Sequence, residues 1–450
     1  MNTLKKSTWG KVSAIICVIP MLLSACGAPG ASDKTSDDDK GDGGKKAVTI
    51  SVTDTNRFLQ NAEQEYEKTH PDVDIVIKPY REAQELAENQ MATAMTQEEF
   101  EKYVSTVNTE MMSGKGPDIL SMTGLPIGKY AEKDLLANSY DLMKDDSDFK
   151  KDHYFQNIWK ASENDGKLLA LPIDVKLNMM LVNNKLLQQA GVAVNQPWTW
   201  DDFVNVTEQV KKKAGDDIYA NGNSEPQSYL YQLARENYSQ LVDPVKKLAH
   251  FDSPLFRKWV EQVESMYKNE ILTKESVDID HALFSDRAIL DPTSYIMFDD
   301  HETLKSPSVD KNNNHLSFYS TTFGINNNSP VKQEAWSFLK FLISDEMQES
   351  PEMNGMPINK TSYNKKFDDL VEQAKNGTVK TKYGDTPTTK TPEELEKFRP
   401  LIEEADSNSN TDSKVLQIVL EEIKTYYNGE KSLEEVIHLI QSRAMTYLNE

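Results

Sequence analysis

Val48-Thr49-Ile50-Ser51-Val52, then Asp54-Thr55-Asn56, then residues 58–68, then Val73-Asp74-Ile75-Val76-Ile77, is the stretch whose reading decides the fold. The two outer runs are rich in β-branched residues and read as strands. Between them Phe58, Leu59, Ala62 and Tyr66 recur at helical spacing, and His70-Pro71 closes the helix. Strand, helix, strand within thirty residues predicts a βαβ unit and a parallel sheet, with ligands bound beyond the carboxyl ends of the strands. Working outward, residues 97–112 read as a second helix and Gly116-Pro117 turns into the run Asp118-Ile119-Leu120. The strand ends are then Asp54 to Arg57, Tyr80-Arg81, and Met122 to Leu125 with Thr123 among them.

Further along, Gly166-Lys167-Leu168-Leu169-Ala170-Leu171-Pro172 reads as extended and Met179-Met180-Leu181-Val182-Asn183 as a buried strand. Thr199 is placed to cap a helix with Asp201 and Asp202 in its first turn. From Leu255 onward helices dominate: 335–342 is strongly apolar, and Leu433, Val436, Ile437, Ile440 and Met445 share one face. The chain has no internal repeat.

The chain of 450 residues carries 50 Lys and Arg against 72 Asp and Glu, a net charge of −22. Such a field repels nucleic acid and anionic lipid headgroups, so neither is expected as a direct partner. At the N-terminus Lys5, Lys6 and Lys11 precede the apolar segment 12–23, too short for the roughly 20 residues a spanning helix needs. Leu23-Ser24-Ala25-Cys26 then reads as a lipoprotein cleavage site, with residues 1–25 removed and Cys26 carrying the lipid. Two acyl chains on that residue make a stable anchor. The other cysteine, Cys17, falls in the removed segment, so no internal disulfide is expected. Residues 26–46, rich in Gly, Ser, Asp and Lys, read as a flexible tether with a reach of about 25 Å. The protein is thus expected on the outer face of the cell membrane, as in a Gram-positive bacterium, touching the bilayer only through Cys26.

Four patterns carry a family resemblance: Gly116-Pro117-Asp118-Ile119; Asp165-Gly166-Lys167 through Leu171-Pro172 and on to Val182-Asn183-Asn184-Lys185, Ala190-Gly191-Val192 and Pro197 to Phe203; residues 334–344; and Asn354-Gly355-Met356-Pro357-Ile358-Asn359-Lys360. In this order the chain resembles the extracellular solute-binding proteins of ABC importers, in the sugar-binding group related to maltodextrin-binding protein. The resemblance covers Val48 to the C-terminus. It implies an α/β, two-lobed periplasmic-binding-protein-like fold of type II, each lobe a sheet flanked by helices, joined by a hinge that the chain crosses several times. The crossings are expected near Pro172-Ile173-Asp174, between 305 and 314, and near Gly355-Met356-Pro357. The N-terminal lobe would comprise 47–173 with 312–354, and the C-terminal lobe 174–311 with 355–450. Where relatives often carry a Gly- and Trp-rich strand, this chain has Ser317 to Ile325.

A cleft for sugar needs carboxylates or amides for hydroxyl groups and flat rings for the apolar sugar face. The candidate ligand contacts are Asp54, Asn56, Arg57, Tyr80, Arg81, Thr123, Asp174, Tyr295, Tyr319 and Asn354. Asp54 reads equally as a cap of the following helix, and Arg57 as a partner for nearby acids. The five tryptophans beyond the signal segment all fall in helical or apolar patterns and read as structural. Enzyme signatures are weak. None of the seven histidines pairs at the spacing of a zinc helix, no Gly-x-Ser-x-Gly elbow occurs, and 124–129 is one residue short of a phosphate loop. Asp145-Asp146-Ser147-Asp148 lacks the Gly and Glu of a calcium loop and reads as a solvated charge run. No cofactor or metal is expected. The reading is a monomeric receptor that closes on a mono- or oligosaccharide and passes it to an ABC permease. A peptide or polyamine as cargo, a surface glycoside hydrolase, and a partner of a membrane sensor are the alternatives.

Overall fold

The computed structural model describes residues 44–81, 95–290, 292–298, 301–312, 314–381, 384–409 and 411–450. Cys26, the segment before it and most of the expected tether lie outside these residues. The first strand, Lys46–Asp54, alternates buried Val48, Ile50 and Val52 with half-buried Thr49 and Ser51, the period-two pattern of a sheet with one covered face. It pairs in parallel with Val73–Arg81 and Ile119–Ser121, and the sheet continues through Thr322–Ile325 to Leu171–Pro172. Thr322–Ile325 runs antiparallel to both its neighbours. The helix between the first two strands, Arg57–Thr69, buries Phe58, Leu59, Ala62 and Tyr66, as its spacing predicts. Its outer face meets Lys332–Leu342, where Tyr66 packs edge-on against Phe338 at 5.2 Å.

The second sheet is built on Asp174–Asn183, all ten of whose residues are buried. A strand covered on both faces can dispense with alternation. It runs antiparallel to Phe284–Ile289, His301–Leu304, Leu316–Tyr319 and Met356–Pro357, and Leu316–Tyr319 in turn pairs in parallel with Ala405–Asn408. Over one face lies an apolar core of Trp198, Phe203, Phe256, Trp259 and Phe284, closed by the long helices Ser413–Tyr427 and Leu433–Asn449. Thr199 caps the helix Trp200–Ala214 in a reciprocal capping box with Asp202, as expected. The helices Lys360–Ala374 and Pro392–Phe398 belong instead to the apolar core of the first sheet, through Tyr363, Phe367 and Phe398.

The chain changes sheet between Pro172 and Asp174, and again between Tyr319 and Thr322. The second change falls beyond the 305–314 window because Leu316–Tyr319 still pairs with Asp174–Asn183; the β-rich run 316–325 is split between the sheets at Ser320-Thr321. A third passage leads from the helix Lys332–Leu342 to Met356–Pro357. The acidic run near Asp146 is also more than a solvated loop. Asp146 accepts from Trp336 Nε1 at 3.1 Å and Lys340 Nζ at 2.6 Å, and these donors hold its carboxyl below the usual range against partial burial. No helix among the described residues is long and apolar enough to cross a membrane.

Candidate functional site

A cleft of about 1460 Å³ opens where the two sheets exchange chain. Met122, Thr123 and Ala170, at strand ends of the first sheet, meet Lys176, Asn178 and Tyr319 of the second, with Ser320 to Thr322 between them. One wall is the turn at Gly124 and the short helix Ile127–Glu132. Gly124 has φ +70°, and a Cβ there would run into the Phe100 ring, so this turn requires glycine. The other wall carries Tyr231, Arg235, Glu236 and Tyr238, together with Asp412 and Ser413 at the start of a long helix.

The floor is a closed polar network. Asp174 Oδ2 accepts from Lys176 Nζ at 2.6 Å and from Thr321 Oγ1 at 2.8 Å, while Oδ1 accepts from the Thr321 amide at 2.7 Å. Lys176 and Asp174 are both about 95% buried, and the Lys176 ammonium stands 5.5 Å over the Tyr319 ring. Burial, reinforced by the Asp174 charge, pushes the Tyr319 phenol up. Asn178 donates to Ser317 Oγ and Ser409 Oγ at 3.0 and 3.1 Å. Behind this floor the buried Gln348 donates to the carbonyl of Ile173 at 2.9 Å and accepts from the Ile358 amide at 2.8 Å, tying two of the passages together.

The helix wall is different. The Nε of Arg235 and the hydroxyl of Tyr238 are buried and find no hydrogen-bond partner among the described residues. The carboxyl of Glu236 is closely surrounded by protein beside Asp286, and burial and that neighbour push it up to about 7. Burial likewise raises Asp412, against the pull of hydrogen bonds from Tyr447 and the Lys414 amide.

Across the mouth, Lys247 Nζ and Glu132 stand 2.7 Å apart, and that contact holds the Glu132 carboxyl below its usual range. Ser413 Oγ donates to the Gly124 carbonyl at 3.1 Å, and Gln417 bonds Glu101.

Of the residues singled out from sequence, Thr123 and Tyr319 line the cleft, and Asp174 stands one layer behind it, reaching it through Lys176 and Thr321. The others stand elsewhere. Asn56 caps the helix Arg57–Thr69, accepting from the Leu59 amide. Asp54 pairs with Arg81 at 2.7 Å near the outer edge of the first sheet. Tyr80 is exposed, edge-on to Tyr103, and Arg57 and Asn354 are also exposed. Tyr295 is a core ring stacked on Phe398 at 4.9 Å. The strand-end rule picked Asp54 and Arg81 correctly as ends, but the sheet order places those two strands farthest from the crossing. Lys176, Asn178, Arg235 and Tyr238 carry no sequence signal, since a buried strand and an amphipathic helix hide polar residues that point sideways into a gap. All five tryptophans expected to be structural are buried.

Residues 50–349 match the model of the family described as bacterial extracellular solute-binding protein. The chain belongs to that family. Among solved structures it is similar to the sugar-binding protein MalE of Xanthomonas citri, at 14% identity and a TM-score of 0.62, covering 90% of this chain and 98% of that one. It is similar also to an ABC substrate-binding protein of Listeria monocytogenes in complex with cycloalternan, at 15% identity and TM-score 0.58, over 90% and 99% of the two chains. A periplasmic oligogalacturonide binding protein from Yersinia enterocolitica matches at 15% identity and TM-score 0.58, with the same coverage. At such identities the likeness is one of fold: two lobes, each a sheet flanked by helices.

Proposed function

We propose that this solute-binding protein captures a carbohydrate of several sugar units by closure of its lobes and delivers it to an ABC permease, while a lipid on Cys26 holds it to the outer face of a Gram-positive cell membrane. The observation that carries this reading is the cleft itself. Its 1460 Å³ exceeds the roughly 300–1000 Å³ typical of small-molecule sites, and its lining mixes the rings of Tyr231, Tyr238 and Tyr319 with amides, hydroxyls and carboxylates. That is the complement of a chain of hydroxylated rings. The similar solved structures point the same way: one is in complex with cycloalternan, one is an oligogalacturonide binding protein and one is the sugar-binding protein MalE.

Closure follows from linkage. A guest touching both lobes makes its full set of contacts only in the shut form and draws the equilibrium there. In this reading each lobe is built on one sheet, with Leu316–Tyr319 going to the lobe of the second sheet and the helices Lys360–Ala374 and Pro392–Phe398 to that of the first, and the pivots are the sheet exchanges at 172–174 and 320–321. Thr123 and Tyr319 are assigned to the guest, and Asp174 to holding Lys176 and Thr321 in place beneath it.

Thermal unfolding against a panel of oligosaccharides, peptides and polyamines tests the reading. A ligand at 100 times its Kd adds about 2.7 kcal/mol of stability. A sugar that raises the melting temperature and is recovered intact supports the proposal. A shift by peptide or polyamine alone, or conversion of the sugar to products, overturns it. Cys26→Ala is expected to release the protein from the cell surface, read by fractionation.

A further inference from the structure

Arg235 and Tyr238 share a chemical oddity. Each lines the cleft, each has a buried polar atom with no partner among the described residues, and both atoms are donors, an N–H and an O–H. Leaving such a group buried and unmade costs free energy, more for a charged group than for a neutral one. The remainder of the cleft floor, at Asp174, Lys176 and Asn178, satisfies its donors internally. The two unpartnered donors are covered in this conformation and lie three residues apart on one wall, so a guest reaches them as the side chains turn toward it.

What they ask for is an acceptor. An ammonium guest offers none, which leaves carboxylate or hydroxyl oxygen. The surroundings decide between these: acidic side chains outnumber basic ones on the lining, seven to five. Glu236 interacts with both Arg235 and Asp286 on this wall, and a guest carboxylate there would face like charge. A hydroxyl suits both sides, since it accepts from Arg235 or Tyr238 and donates its own proton to a carboxylate such as Glu236.

We propose that Arg235 and Tyr238 are specificity-determining residues that turn toward the cleft when a guest enters and grip neighbouring hydroxyl oxygens of an uncharged sugar unit. The inference rests on the carbohydrate reading above and goes further in naming the residues and the charge of the guest. The guanidinium fork matches a pair of adjacent oxygens, a geometry that lysine lacks.

The test is isothermal titration of the wild-type protein, Arg235→Gln, Arg235→Lys and Tyr238→Phe with neutral four-unit glucans and xylans and with trigalacturonate. The wild type is expected to bind a neutral oligosaccharide. Arg235→Gln should weaken that binding by about tenfold or more, and Tyr238→Phe by up to about tenfold. Arg235→Lys should recover only part of the loss. The ligand-free melting temperature of Tyr238→Phe should stay level or rise, because its hydroxyl makes no internal bond, and a structural role would lower it; Arg235→Gln also gives up the attraction to Glu236, so it is read from binding alone. Neutral sugar bound equally by wild type and variants would overturn the inference and leave the carbohydrate reading standing. Preference for trigalacturonate would overturn the uncharged guest. If no saccharide binds the wild type, the carbohydrate reading itself falls and takes the inference with it.

Discussion

Two corners of the same cleft are equally polar and handled in opposite ways. At the sheet exchange, Asp174 spends both oxygens on Lys176 and Thr321, and every contact is internal. On the helix wall, Arg235 and Tyr238 keep buried donors open, and Glu236 sits beside another acid. A saturated network fixes geometry, whereas an unsaturated one holds free energy in reserve for a visitor. On our proposal the first corner serves the mechanics of closure and the second serves recognition.

The contrast breaks most sharply at Asp174. Asp174→Ala strands a buried Lys176 ammonium and should cost about 3–5 kcal/mol, measured by urea unfolding. Adding Lys176→Met should recover much of that loss, and failure to recover would show that the pair is more than a self-cancelling charge. Next is Gly355→Ala. A Cβ there would lie 2.7 Å from Asp174 Cβ, so the expected cost is about 1–3 kcal/mol by the same assay.

Glu236 sharpens the other side. Its folded pKa of about 7 lies above the unfolded value near 4.5, so the folded state binds the extra proton and stability falls as pH rises between those values. Glu236→Gln should flatten that slope and stabilise the ligand-free protein at pH 8, by on the order of 1 kcal/mol given its contact with the wetted cleft. A steeper slope in the variant would remove Glu236 from the account. The smallest effect is expected at the mouth. Lys247 and Glu132 are partly exposed, so Lys247→Met should shift the balance of open and closed forms by less than about 1 kcal/mol. Small-angle scattering at low and high salt reads that shift, and the wild type should lose it as salt is added.

The sequence was most legible where local pattern and tertiary packing agree. Val48 to Ile77, Thr199 with Asp202, and the apolar faces of the last helix are readable because one element carries its own periodicity. The switch of sheets at Ser320-Thr321 was not, since an unbroken β-rich run says nothing about which neighbours it pairs with. The cleft fared in the same way. Thr123 and Tyr319 sit at strand ends adjacent to the crossing, and position alone indicates them. Asp54, Arg81 and Tyr80 also sit at strand ends, but on the outer strands, a fact held only in the sheet order. Arg235 could not be seen, because its meaning lies in an absent partner rather than in a present motif.

One strand, Asp174–Asn183, is buried along all ten residues and bonded throughout its length, while the links beside it at 172–174 and 320–321 are short. Rotation confined to those links is a matter of backbone torsion and unzips no ladder. On the proposed closure the receptor would swing on the microsecond to millisecond scale of hinge motion without passing through a partly melted form. Amide exchange should register this as a slow, uniform block through the strand, undisturbed by how often the jaws have shut.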